Sequence, residues 1–182
     1  MCKKALNYLS LAFALVVLVS FANPEKKLDK LVAKIWKDQV IELVAVELPD
    51  SLKTSISHFS AIKSGDVLLG YGCYATALGC RVGGCAAPGE GNADTYETFD
   101  YIVIYDPNMV IIQVDIAEYS GQYGYEICRA KWLTQFAGKN SGFQLNENID
   151  GITGATVSAT YLVDDLNELG KTMTKLLQDQ AL

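Results

Sequence analysis

The hydrophobic pattern changes period several times along the chain. Residues 5–22 are an almost unbroken apolar run behind Lys3 and Lys4. Leu28, Leu31, Val32, Ile35 and Trp36 then share one face, with lysines opposite, which predicts a helix over 25–37. Residues 40–48 fit either a short strand or a continued helix, ended by Pro49. A strand near 57–63, the turn Ser64-Gly65-Asp66 and a strand from Val67 towards Leu78 predict a hairpin. Phe99 to Tyr105 is rich in β-branched and aromatic residues. Asp106-Pro107-Asn108 turns the chain, and Met109 to Glu118 runs back as a second hairpin. Glu126 to Phe136 reads as a helix, with Ile127, Trp132, Leu133 and Phe136 apolar and Gly138 as its stop. Leu162, Leu166, Leu169, Met173 and Leu176 recur at steps of 4, 3, 4 and 3, the stripe of an amphipathic helix. This order predicts an α+β domain, with helices packed against an antiparallel sheet.

At 182 residues the chain suits one domain behind a leader, divided here as 1–22 and 23–182. Half of it is apolar, too much for a disordered chain. The formal charge is −6, and no Lys/Arg cluster marks a nucleic-acid surface. A single histidine, His58, argues against a His-based metal site or a catalytic triad. Ser20-Phe21-Ala22 places small residues where a signal peptidase cuts, so 1–22 reads as a signal peptide. The 18 apolar residues would also serve as a membrane anchor. Either reading puts the domain outside the cytoplasm, periplasmic or exported, and removal of 1–22 takes the charge to −8.

Beyond the leader the cysteines are Cys73, Cys80, Cys85 and Cys128. Their spacing matches no zinc pair or ferredoxin run, which leaves disulfides, buried thiols, or a metal or cluster. The glycines between 70 and 91 suit a loop lying close to a ligand.

Residues 149–161 stand out. Asp150-Gly151-Ile152-Thr153-Gly154-Ala155-Thr156 is small, flexible and hydroxyl-rich, and it runs straight into the final helix. A Thr or Ser at a helix start is commonplace as a cap. The same position also offers unpaired N–H groups and partial positive charge, a seat for a phosphate. The spelling of this stretch resembles the flavinylation motif of the FMN-binding domain family. That family includes the C subunit of the sodium-translocating NADH:quinone reductase and the G subunit of the Rnf complex. The segments 99–106, 119–127 and 131–139 also resemble those preceding the motif in stand-alone bacterial members.

The resemblance implies an FMN-binding-domain-like fold with FMN joined through its phosphate to Thr156. It implies a turn built by Asp150, Gly151, Thr153, Gly154 and Ala155, with N–H groups from Gly154 to Ser158 meeting the phosphodiester. Tyr119, Tyr123, Tyr125 and Trp132 are candidates to shield the ring, and Glu126 to sit near a ring nitrogen. The implied partners are an FAD-dependent FMN transferase and a membrane redox complex or extracytoplasmic electron acceptor. The expected role is an extracytoplasmic electron-transfer flavoprotein. Two alternatives stand beside it: a flavin-dependent reductase with its own small substrate, favoured by an open pocket beside the ring, and a non-redox binding protein retaining the fold.

Overall fold

The structure, a computed structural model, describes residues 24–53, 55–81 and 96–180. Helix α1 (Pro24–Ile35) is followed by strands β1 (Glu42–Ala45), β2 (Ile56–Ser64), β3 (Val67–Arg81), β4 (Tyr96–Tyr105) and β5 (Ile111–Tyr119). The short helix α2 (Ala130–Leu133) lies between two 3-10 turns, Tyr125–Cys128 and Thr134–Phe136, and α3 (Thr156–Gln180) closes the fold. The strands form one antiparallel sheet in the order β1-β2-β3-β4-β5, each beside its neighbour in sequence. The expected α+β class holds.

Both hairpins form where the turn chemistry placed them. Gly65 takes a φ of 57° between β2 and β3. Between β4 and β5 the Asp106 carboxylate accepts hydrogen bonds from the N–H groups of Asn108 and Val110, both at 2.8 Å. Such a side-chain-to-backbone turn is what Asp before Pro-Asn is suited to make.

Helices cover both faces of the sheet, which explains why β4 is apolar at every position from Tyr101 to Tyr105. Side chains alternate across a strand. Phe99, Tyr101, Val103 and Tyr105 pack with Leu162, Leu166, Leu169 and Met173 of α3. Ile102 and Ile104, on the opposite face, pack with Leu28, Leu31 and Val32 of α1. Each such aliphatic side chain contributes about 1.5–3 kcal/mol on full burial.

Three expectations are sharpened or corrected. The ambiguous run 40–48 contains an edge strand, with Glu42 to Ala45 paired to Lys63 to Ser60 of β2. Residues 126–136 are not one helix. Arg129 is extended (φ −68°, ψ 113°), and its carbonyl accepts from both Trp132 and Leu133 as α2 begins. The step of five from Ile127 to Trp132 is too long for one helical face, and the break at Arg129 lets both side chains bury. Of the readings left open for the cysteines, disulfides do not form among Cys73, Cys80 and Cys128. Cys73 and Cys80 are fully buried on β3, with a register shift in the β3–β4 pairing between Leu78 and Arg81.

The expected leader, 1–22, and the loop that carries Cys85 lie outside the described residues. No helix among the described residues is long and apolar enough to cross a membrane.

Candidate functional site

Helix α3 begins at Thr156, where the sequence placed it, and runs for 25 residues. Ala159 N–H donates to the Ala155 carbonyl at 2.8 Å, so Ala155 is the residue that opens the helix. Alanine has no side-chain acceptor with which to cap it. No side chain among the described residues accepts from the N–H groups of Thr156, Val157 or Ser158. Among the described residues the amino end of α3 therefore keeps donors that no side chain takes, together with its share of the helix dipole. Thr156 and Thr153 are exposed, while Ile152 and Ala155 are buried beneath the turn.

The turn before the helix is held at both ends by one preceding segment. At its start, the Trp132 indole N–H donates to the Asp150 carbonyl at 2.8 Å. The Asp150 N–H donates to Gln135 Oε1 at 2.9 Å. At its end, Gly154 takes a φ of +88°, a conformation in which a side chain would be strained. A Cβ on Gly154 would also lie 2.9 Å from Glu126 Oε1, so the Glu126 carboxyl packs directly on the turn. Gly151 faces the Asn146 carboxamide in the same way. The 3-10 turn at 125–128 thus fixes one end of the stretch and the residues from Trp132 to Gln135 fix the other.

Asp150, Gly151, Thr153, Gly154, Ala155, Thr156, Glu126 and Trp132 come together around this turn. Asp150 and Trp132 among these, and Ser158 beside them, differ from expectation in what their side chains do. The Asp150 carboxylate is exposed and accepts no hydrogen bond among the described residues; its main chain carries the anchoring. Trp132 is only 6% exposed and spends its N–H on Asp150, so the ring is a strut for the turn more than an open stacking surface. Ser158 is fully buried, with its hydroxyl turned into the fold. Its Oγ lies 2.9 Å from Tyr119 Oη and 3.6 Å from Cys80 Sγ. The N–H of Ser158 remains in the open first turn, but its hydroxyl is closed off.

Tyr119 continues this buried chain by donating to the Tyr123 carbonyl. Burial pushes its phenol up to about 12, opposed by the hydrogen bond to Ser158. Gly124 closes over the group at a φ of +86°; a Cβ there would fall 2.4 Å from Ser158 Oγ. The clasp ties β5 and the 119–126 segment to the first turn of α3. Tyr123 and Tyr125 remain exposed on that segment, at 45% and 59%.

Two features were not read from the sequence. Gln135 lies in a helical stretch and gives no sign that it receives the Asp150 N–H. A cavity of about 400 Å³ lies beside the turn, and Arg129, Lys131, Trp132, Asp150 and Ile152 are among its walls.

Away from the turn, Tyr101 donates to the Asp165 carboxylate beneath α3. Burial pushes the Asp165 carboxyl up, the Tyr101 bond pulls it down, and Glu168 adds to the rise. A carboxyl raised above its unfolded value of about 3.9 holds its proton more tightly in the native state. Its ionisation therefore costs stability as pH rises from the unfolded value through the raised one. Asp165→Asn keeps an acceptor for Tyr101 and removes that cost. The variant is expected to resist urea better than the wild type at pH 7, with the gap closing as pH falls towards 4. A gap independent of pH would show that burial does not raise this carboxyl.

No protein-family model matches the chain, and no curated protein matches it.

Proposed function

We propose that this protein carries FMN covalently on Thr156 and serves as an extracytoplasmic electron-transfer flavoprotein. The observation that carries the reading is the placement of Thr156. Its exposed side chain stands in the first turn of a 25-residue helix, directly after a turn clamped at both ends. The spelling of residues 150–156 supplies the link to the FMN-binding domain family, and the five-stranded antiparallel sheet with helices is compatible with it.

The residues present fit a flavin phosphate ester. Open N–H groups of Thr156, Val157 and Ser158 would meet the phosphodiester charge. Gly154 lets the chain turn without a side chain in the way. Glu126 Oε2 is buried and has no hydrogen-bond partner among the described residues, an arrangement that costs free energy until a donor arrives. A flavin ring carries such an N–H donor. Tyr123 and Tyr125 offer exposed aromatic faces on the adjoining segment.

The bound flavin would supply one- and two-electron chemistry that no side chain here provides. This chain's part is to hold the turn rigid, offer the hydroxyl, and place a carboxylate and aromatic rings beside it. A separate FAD-dependent transferase would attach the group, and a membrane redox complex or soluble acceptor would exchange electrons with it. A flavin-dependent reductase is the second reading, and the open cavity beside the turn favours it.

The test is the intact mass of the mature protein from cells that contain an FMN transferase. One esterified FMN per chain is expected. Unmodified protein from cells in which a known substrate of the transferase is fully loaded would sink the reading in favour of a non-redox binding protein.

A further inference from the structure

The cavity beside residues 150–152 has an unusual balance of free and committed groups. Most of its neutral polar side chains are already in use. The Trp132 N–H serves the Asp150 carbonyl, and Gln135 accepts from Asp150 while donating to the Trp132 carbonyl at 3.2 Å. Thr134 donates its hydroxyl to the Lys131 carbonyl at 2.8 Å. Arg129 and Lys131 are different. Both are exposed at the cavity, and neither forms an ion pair among the described residues. Two cations without an ion pair among the described residues thus border one cavity of a chain whose formal charge is −6.

Arg129 and Lys131 thus put charged donors on the walls, and an anion is the polar group that uses them most fully. Arginine's planar fork suits a carboxylate in particular, with both N–H groups aligned to both oxygens. The remaining wall is apolar, from the faces of Trp132 and Ile152. Asp150 also borders the cavity and would repel a compact doubly charged group more than carboxylates spaced along a carbon chain. At about 400 Å³ the space suits a small organic molecule.

We propose that this cavity is a binding site for a small organic carboxylate, seated by Arg129 and Lys131 against Trp132. The site lies against residues 150–152 of the turn that leads to Thr156, and the binding does not rest on the flavin reading.

The experiment uses the mature, unflavinylated chain with Trp36→Phe, which leaves Trp132 as the single remaining tryptophan of two. Its fluorescence is followed as succinate is added, with inorganic phosphate in a parallel titration and calorimetry as a second measure. Succinate is expected to give a saturable change, weakened at least tenfold in R129Q/K131Q and weakened by added salt. Absence of saturation, or an equal response in the double variant, overturns the proposal. Tighter binding of phosphate than of succinate also overturns it, since the cavity would then be a phosphate seat. The double variant removes only exposed side chains, and circular dichroism checks that it folds. A failure of the flavin reading appears separately, as an unmodified mass in the loading experiment, and does not alter these titrations.

Discussion

Thr156→Ala is expected to abolish covalent flavin while leaving the fold intact. The side chain is exposed and makes no hydrogen bond among the described residues. The carbonyl of residue 156, which accepts from the Thr160 hydroxyl at 2.9 Å, is unchanged by the substitution. Alanine is also the better helix former, by up to about 0.7 kcal/mol. Thermal unfolding of the unmodified proteins should therefore agree closely or favour the variant. Fluorescence on a denaturing gel should fall from one flavin per chain to none, since the ester oxygen is gone. Thr156→Ser keeps a hydroxyl on the same backbone and should retain at least part of the loading. Undiminished fluorescence in Thr156→Ala would move the attachment site to Thr153, the other exposed hydroxyl of the turn. Ser158 would not inherit it, because its hydroxyl is enclosed by Tyr119, Cys80 and Gly124.

Much of the fold was legible because its signals are local. The Asp106 turn and the flanking β-rich runs specify the second hairpin within about twenty residues, and the 4-3-4-3 leucine stripe specifies α3. In the segment 126–136 the buried apolar residues were legible, but the break was not. Its apolar residues include a step of five, and only packing against the 149–152 turn decides where the extra residue goes. Of the site, Thr156 and Gly154 were readable from spelling, because a helix start and a left-handed turn have local chemistry. The direction of Ser158 was not. At the third position of a helix it can face out or in, and the choice is made by Tyr119 and Cys80, which lie 39 and 78 residues away in sequence. The unpaired state of Glu126 Oε2 was equally invisible, since it depends on Gly154 packing over the carboxyl. Sequence pattern reports which residues are buried; it does not report which buried groups lack a partner.

Phe136→Ala is expected to have the largest effect on stability, and that effect should reach the turn. Phe136 is fully buried, with its ring edge-on to Trp132 at 5.2 Å and to Phe143 at 5.1 Å between centroids. Truncation of such a phenylalanine costs about 3–5 kcal/mol, through lost transfer free energy and the cavity left behind. Against a total of about 5–15 kcal/mol, that is a large share. The local consequence separates it from an ordinary core mutation. Trp132 is the neighbour that loses its support, and Trp132 holds the Asp150 carbonyl at the start of the turn. Leu28→Ala on α1 provides the comparison. Leu28 is 1% exposed and lies on the opposite face of the sheet, and its loss should cost about 2–5 kcal/mol. Both variants should unfold at lower urea. At a temperature where both remain folded, Leu28→Ala should load flavin like the wild type, and Phe136→Ala should load severalfold less. Equal loading per folded molecule would mean that the turn keeps its geometry without the Phe136–Trp132 strut, and that the clamp at Asp150 is not what presents Thr156.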